Sequence, residues 1–391
     1  MNPIYLDYNA TTPLDPAVIE AMVPYLRDHF GNPSSSHAYG QTTHDAVQGA
    51  RGQVAELLGA RSEEIVFTGG GSEANNQALK GTVFAKLRGF FGRWARGAHL
   101  ITSAIEHPAT LQPCQFLERL GCRVTVLPVD RHGLVDPDAV RRAIDRQTTL
   151  ISIMHANNEV GTLQPIREIG AIAREREVLL HTDAAQSMGK VTVNVAELGV
   201  DLLSVAGHKL YAPKGIGVLY VRQGVTLEPL IHGASHEAGR RAGTENVPYI
   251  VALGAACEIA RKSLPHATDQ LRQLRDRLWQ RLREGLGEEG VTLNGHPERR
   301  LPNTLNVNFT GQIGIDLLKA VPDIAASTGS ACHEGDQQRH FTLSPVLTAM
   351  GVPMHLGRGA LRLSVGRFTT EEEIDCAAEK LIAAARTGTR L

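Results

Sequence analysis

Three short segments carry residue types that chemistry needs. In Ser204-Val205-Ala206-Gly207-His208-Lys209-Leu210-Tyr211-Ala212-Pro213-Lys214-Gly215 an apolar strand runs into a lysine and a turn rich in proline and glycine. An amine held at a strand end is partly desolvated, which lowers its pKa and frees it to form a Schiff base. A lone loop lysine is more often simply solvated, so Lys209 needs company. In Leu179-Leu180-His181-Thr182-Asp183-Ala184-Ala185-Gln186 an apolar strand ends in an aspartate. Asp183 could pair with a protonated pyridine nitrogen or cap the following helix, and the segment alone leaves both open. In Phe67-Thr68-Gly69-Gly70-Gly71-Ser72-Glu73-Ala74-Asn75-Asn76 a strand meets three glycines, a hydroxyl and a helical pattern. Such a loop lets backbone approach an anion while the helix N-terminus offers free N–H groups and a favourable dipole. It lacks the lysine of a P-loop and the spacing of a dinucleotide fingerprint, so neither ATP nor NAD is its natural occupant.

Together an anion cradle at Gly71 and Ser72, a carboxylate at Asp183 and an amine at Lys209 match the needs of pyridoxal phosphate. One cysteine joins them. Cys114, Cys122, Cys257 and Cys376 have bland surroundings that suit small buried side chains. Cys332 instead sits among small residues in Ser327-Thr328-Gly329-Ser330-Ala331-Cys332-His333-Glu334-Gly335. Five widely spaced cysteines, with no CxxC pair and no metal-ligand spacing, argue against a disulfide framework or a metal site.

These residues need elements to position them. Short apolar runs at 65–68, 99–103, 124–128, 150–154, 178–182, 202–205 and 217–221 alternate with amphipathic helical segments. That alternation predicts an α/β fold with a mostly parallel, seven-stranded sheet. After about residue 255 a long helical stretch through Leu271, Leu274, Leu278 and Leu282 leads to strand-like runs at 304–309 and 359–364, the pattern of a smaller α+β domain. We expect a large domain over 14–258 and a small one from 1–13 and 259–391, the latter carrying the cysteine loop at about 327–343. Lys and Arg number 40 against 41 Asp and Glu, so no charge excess points to nucleic acid or a membrane surface. No run approaches a membrane span and the first residues lack the basic and apolar regions of a secretory signal, which makes cytoplasmic the default location.

With these segments in view, the sequence resembles the class V aminotransferase-fold enzymes (pyridoxal-phosphate transferases of fold type I), and among them the cysteine desulfurases of the NifS/IscS type. The resemblance runs nearly end to end through YLDYNATTPLDP, FGNPSSSH, TGGGSEANN, ITSAIEHPA, SIMHANNEVG, HTDAAQSMGK, GHKLYAPKGIG, HEAGRRAGTEN, TGSAC and LRLSVGRFTTEEEID. It implies that Lys209 carries the cofactor, Asp183 pairs with its ring nitrogen, and Asn158 and Gln186 bind its ring oxygen. His107 would stack on the ring and shuttle protons. Ser72 and His208 would hold the phosphate, with Thr244 reaching it from the other subunit of a homodimer. Arg362 would clamp the substrate carboxylate, which Asn158 would also approach. Cys332 would take sulfur from L-cysteine as a persulfide, leave L-alanine, and pass the sulfur to an acceptor protein, with iron–sulfur cluster assembly among the possible destinations.

Some positions depart from the family pattern. Ala206 stands where a phosphate-binding serine is common, and Gly233-Ala234-Ser235 replaces the usual triple glycine. The stretch HEGDQQRHFTLSPVL after Cys332 is longer than in many relatives, and the SPVL, GVP and LRLSVGR segments also resemble selenocysteine lyases, the alternative substrate reading. A non-catalytic relative within a sulfur-transfer assembly is a third reading, which Lys209, Asp183 and Cys332 argue against. The sequence stops at Leu391 without the tail that some members use to hold an iron–sulfur scaffold.

Overall fold

A computed structural model describes residues 3–87, 97–328, 330–332 and 341–387, with the backbone alone at 330–332 and 341. Seven strands form the principal sheet, in the order Ile65–Thr68, Gly217–Val221, Leu202–Ala206, Leu179–Asp183, Thr148–Ser152, His99–Ser103 and Arg123–Leu127. Gly217–Val221 is antiparallel to both neighbours, and the other pairings are parallel. Six of the seven strands therefore point the same way, and their carboxyl ends share one edge.

Successive side chains on a strand face opposite sides. Leu100, Leu150, Leu202 and Leu219 belong to one apolar cluster with Ala74, Ala78, Leu79 and Val83 of the helix Gly71–Leu87. Ile101, Ile151, Leu203 and Val218 belong to another, with Val47, Val54 and Leu58 of the helix Ala38–Leu58 and with Leu253 and Ala256 further along. Helices thus cover both faces, which is why these strands read as continuous apolar runs. Cys114, Cys122 and Cys257 are buried in this packing and Cys376 is partly buried. Burial raises the thiol pKa to about 12 at Cys114 and about 11 at Cys122, so both stay protonated and inert.

Beyond the sheet, the helix Val247–Leu286 runs for 40 residues, capped by the Asn246 side chain and passing Pro265 without a break. It begins earlier than the leucine spacing alone indicates, because its first turns pack in the large sheet's core. Leu271, Leu274, Leu278 and Leu282 then enter a second core with Leu305, Val307, Leu361 and Leu363. This core lies on a four-stranded sheet ordered Ser327–Thr328, Ala360–Ser364, Thr304–Phe309 and Val291–Asn294. The N-terminal strand Ile4–Tyr5 pairs with Ile324–Ala325, and Asp7 bridges to Ser364. The first residues of the chain are therefore tied to its last third and pass into the space between the two sheets' site-forming edges.

Ser330–Cys332 pairs antiparallel with Phe341–Leu343 as a separate two-stranded sheet. Gly329, Gly335 and most of the polar stretch expected to lend freedom to Cys332 lie outside the described residues.

Candidate active site

Five strands ending on the common edge send their following residues into one cavity of about 660 Å³. Gly69 to Ser72 follow Ile65–Thr68, His107 follows His99–Ser103, and Asn158 follows Thr148–Ser152. Asp183 closes its own strand, and Lys209 follows Leu202–Ala206 in a single turn of 3-10 helix. This is where open α/β sheets bind ligands.

Lys209 is partly buried, and its Nζ donates to the backbone carbonyls of Asn9, at 2.5 Å, and Ala10, at 2.6 Å. Burial, followed by the positive charge of Arg362, brings its pKa down to about 8, against the opposing pull of Asp7 and Asp183. A neutral amine is therefore accessible near physiological pH. Asp183, 8% exposed, is held at both carboxylate oxygens: Oδ1 accepts from the Ala185 N–H at 2.9 Å and Oδ2 from Asn75 Nδ2 at 2.7 Å. The turn-capping contact and the placement in the cavity, which the sequence leaves as alternatives, occur together.

His107 also joins two roles. It caps the helix Pro108–Arg119 through Nδ1, which accepts from Ala109 N–H at 3.1 Å, while its ring lines the cavity. With Nδ1 accepting, a neutral ring carries its proton on Nε2. Partial desolvation lowers the His107 pKa, with Lys209 reinforcing and Asp183 opposing the shift. His208, pushed down to about 4 by burial first and then by Lys209, Lys214 and His107, is neutral, with Nδ1 3.2 Å from Thr11 Oγ1.

The glycine loop is shaped by close approach. A Cβ on Gly217 would lie 2.6 Å from the Gly70 carbonyl carbon, and one on Gly71 would lie 3.1 Å from Ala206 Cβ. Glu73 braces the loop by accepting from Gly69 N–H at 2.8 Å and from Arg241 Nε at 2.9 Å. Ser72 remains exposed at the start of the helix.

Arg362 reaches the same cavity from Ala360–Ser364. Nη1 donates to the Asn158 carbonyl at 3.0 Å, and Nη2 to Asp7 Oδ1 at 2.7 Å and Ser327 Oγ at 2.9 Å. Among the described residues its buried Nε has no hydrogen-bond partner. Thr244 is not in the cavity of its own chain. It is exposed and lines a separate surface cleft with Tyr25 and Phe30. Cys332 ends the first strand of its hairpin. The base of its hairpin is anchored beside the site: Leu343 packs on the cluster containing Ile105, Met154 and Val160, and Ser344 Oγ donates to Glu159 Oε1 at 2.6 Å.

Several contributors went unassigned at the sequence level. Asn9 sits at the centre of the polar wall, donating through Nδ2 to the Asn158 carbonyl at 3.1 Å and to Thr304 Oγ1 at 2.8 Å. Asn75 positions Asp183, and the fully buried Glu106 accepts from Met154 N–H at 2.9 Å beneath His107. Burial raises the Glu106 pKa to about 8 despite hydrogen bonds from Ser103 and Met154. Asn9 and Asn75 lie within segments that carry the resemblance, but nothing in their local spacing distinguishes a site residue from a turn residue.

The fold and site define a class V aminotransferase. The family model described as aminotransferase class V matches residues 4–376, and this chain belongs to that family. Its members are pyridoxal-phosphate enzymes. Among curated proteins, the chain is 46% identical over 374 residues to "Cysteine desulfurase IscS" of Dictyoglomus turgidum, covering 95% of this chain and 92% of the relative. Among solved structures, a NifS-like protein superposes with a TM-score of 0.88 at 37% identity, covering 98% of this chain and 99% of that one. SspA in complex with cysteine gives a TM-score of 0.79 at 38% identity, covering 94% and 99%.

Proposed function

We propose that this chain is a pyridoxal-phosphate-dependent cysteine desulfurase that moves the sulfur of L-cysteine onto Cys332 and then to an acceptor protein. One observation carries the reading: a lysine with a depressed pKa and a braced, buried aspartate face a single cavity beside a glycine loop at a helix N-terminus. The names of the relatives favour sulfur from cysteine over selenium from selenocysteine.

The residues fit the cofactor. A cavity of about 660 Å³ is of the size that cofactor sites have. Gly71, Ser72 and the helix N-terminus suit a phosphate, with His208 supplying a neutral ring donor and Thr244 coming from a partner subunit of a homodimer. Asp183 suits a protonated ring nitrogen, Asn158 and Gln186 suit the ring oxygen, and Lys209 supplies the amine. Asn75 Oδ1, buried and without a partner among the described residues on the cavity lining, marks a wall that is polar beyond its own needs. When bound, pyridoxal phosphate supplies an electron sink for negative charge at the substrate α-carbon.

The chain's own residues do the rest. Arg362 is placed to bind the substrate carboxylate, with its buried Nε as the donor not yet committed. Lys209, neutral in part near pH 8, takes the α-proton. His107 can give or accept a proton at Nε2, where the departing and arriving hydrogens must be balanced. Cys332, as thiolate, forms an S–S bond to the substrate sulfur while the carbon–sulfur bond breaks. L-cysteine plus the Cys332 thiol thus gives L-alanine plus the Cys332 persulfide. The division of labour follows the proposed domains, with 14–258 supplying Lys209, Asp183 and the glycine loop, and 1–13 with 259–391 supplying Asn9, Arg362 and the cysteine hairpin. Iron–sulfur cluster assembly is the proposed destination of the sulfur.

Purified protein given pyridoxal phosphate and L-cysteine is expected to release alanine and to carry a persulfide that a thiol-specific label detects. Cys332→Ser is expected to keep the cofactor's yellow colour and to form no persulfide. A Cys332→Ser protein that desulfurates cysteine as well as the parent overturns the nucleophile assignment.

A further inference from the structure

Behind the Gln186 side of the cavity lies an amine that the proposed chemistry does not use. Lys190, in the turn after Gln186, is 6% exposed. Buried lysines are usually paired with a carboxylate. Among the described residues, Lys190 Nζ instead donates to two neutral oxygens, Gln186 Oε1 at 3.1 Å and Asn9 Oδ1 at 3.4 Å. The charged groups it faces are Lys209 and Arg362, both positive, and with burial as the larger cause they lower its pKa to about 7. A packing role alone would be met at less cost by methionine or leucine.

The contact decides which way the Gln186 carboxamide points. Lys190 Nζ is the donor in this contact and the amide oxygen its acceptor, so the carboxamide turns its N–H group the other way. On the other side, Gln186 Nε2 donates to the Asn9 carbonyl at 2.9 Å, the same carbonyl that receives Lys209 Nζ. Turning the amide over would set N–H against ammonium and oxygen against carbonyl, two repulsions at once. Asn303 Nδ2 donates to Asn9 Oδ1 at 3.0 Å and so fixes the Asn9 amide in the same sense.

We infer that Lys190 is a positioning residue: by holding Gln186 Oε1 and Asn9 Oδ1 it turns the Gln186 N–H group toward the cavity. This rests on the proposed function for what that N–H serves, a donor to the ring oxygen of pyridoxal phosphate. Lys190 thereby acts on the cofactor through Gln186 without touching it.

Two measurements test the inference, one with cofactor and one without. With pyridoxal phosphate added, Lys190→Met should raise the midpoint of the visible-band pH titration by about one unit and weaken cofactor binding about tenfold, since a donor and a nearby positive charge are lost. Lys190→Arg should recover part of both, and Lys190→Met should add little to Gln186→Ala. A Lys190→Met protein with the parent's midpoint and affinity, or effects that add fully to those of Gln186→Ala, overturns the inference; a packing role would lower only the melting temperature. Without cofactor, Gln186→Glu should lower the melting temperature only slightly beside Lys190, where the new carboxylate meets the amine and offsets its clash with the Asn9 carbonyl. Combined with Lys190→Met, the same substitution should cost about 5 °C or more, because the carboxylate is then buried alone. Equal losses in both backgrounds overturn the contact. Should the parent stay colourless with pyridoxal phosphate, the functional reading fails, while the melting temperatures still decide the role of Lys190.

Discussion

The cofactor wall and the cysteine hairpin are built in opposite ways. In the wall, Lys209, Asp183 and Gln186 follow the ends of strands in a seven-stranded sheet; the Asn9 carbonyl accepts from Lys209 and Gln186, while Asn75 donates to Asp183 and Lys190 to Gln186. Among the described residues, the hairpin strands Ser330–Cys332 and Phe341–Leu343 pair only with each other. They are moored near their base by the packing of Leu343, by Ser344 on Glu159, and by Ser327 between Asp7 and Arg362. Chemistry at a substrate carbon gains from donors fixed before the reaction begins. A thiol that must receive sulfur inside a pocket and deliver it outside gains from an element joined to the frame at a few points.

This contrast can be broken most severely at the wall. Lys209→Ala is expected to remove the visible cofactor band and to lower desulfuration by about a thousandfold or more, since nucleophile and base are lost together; single-turnover alanine release measures it. A second test uses pH. The neutral Lys209 amine, not the ammonium, takes up the cofactor, so with a pKa of about 8 the uptake rate of cofactor-free protein should rise about fivefold from pH 7 to pH 8 and level off above pH 9. A profile still climbing past pH 10 would mean that the amine is not desolvated as the structure has it.

A pair of milder substitutions separates the two regions. Asn75→Ala frees one oxygen of Asp183 and should weaken cofactor binding about tenfold, read by titrating pyridoxal phosphate. Ser344→Ala cuts a hairpin mooring and should leave that affinity unchanged while slowing persulfide formation about threefold. If Ser344→Ala weakens the cofactor as Asn75→Ala does, the hairpin is not a separate unit. The smallest effect is expected at Ala206, whose Cβ faces the glycine loop. Ala206→Ser adds a hydroxyl beside the phosphate position and should tighten cofactor binding about twofold.

The large sheet was legible because its strands are buried on both faces and read as apolar runs. The register was less so. The run at 150–154 predicts a strand through Met154, yet the strand is Thr148–Ser152, because the Met154 N–H leaves the ladder for the buried Glu106 carboxylate. The strand expected at 178–182 is Leu179–Asp183, which makes Asp183 its last residue. Nine of the candidate site residues, from Gly71 to Arg362, line one cavity. Thr244 lies outside it, in a separate cleft.

Neighbours along the chain were enough to place Asp183 and Lys209 close after apolar strands, the glycine loop before Ser72 and Cys332 among small residues. Only the tertiary structure decided what holds them. Asn9 meets Gln186 across 177 positions and Lys209 across 200, and Asn75 meets Asp183 across 108. A hydrogen bond formed over such separations leaves no local pattern to read, since each partner is an ordinary polar residue until folding brings the other within reach. Lys190 is the sharpest case: a single lysine after small residues in the sequence, and in the fold the donor that orients the wall.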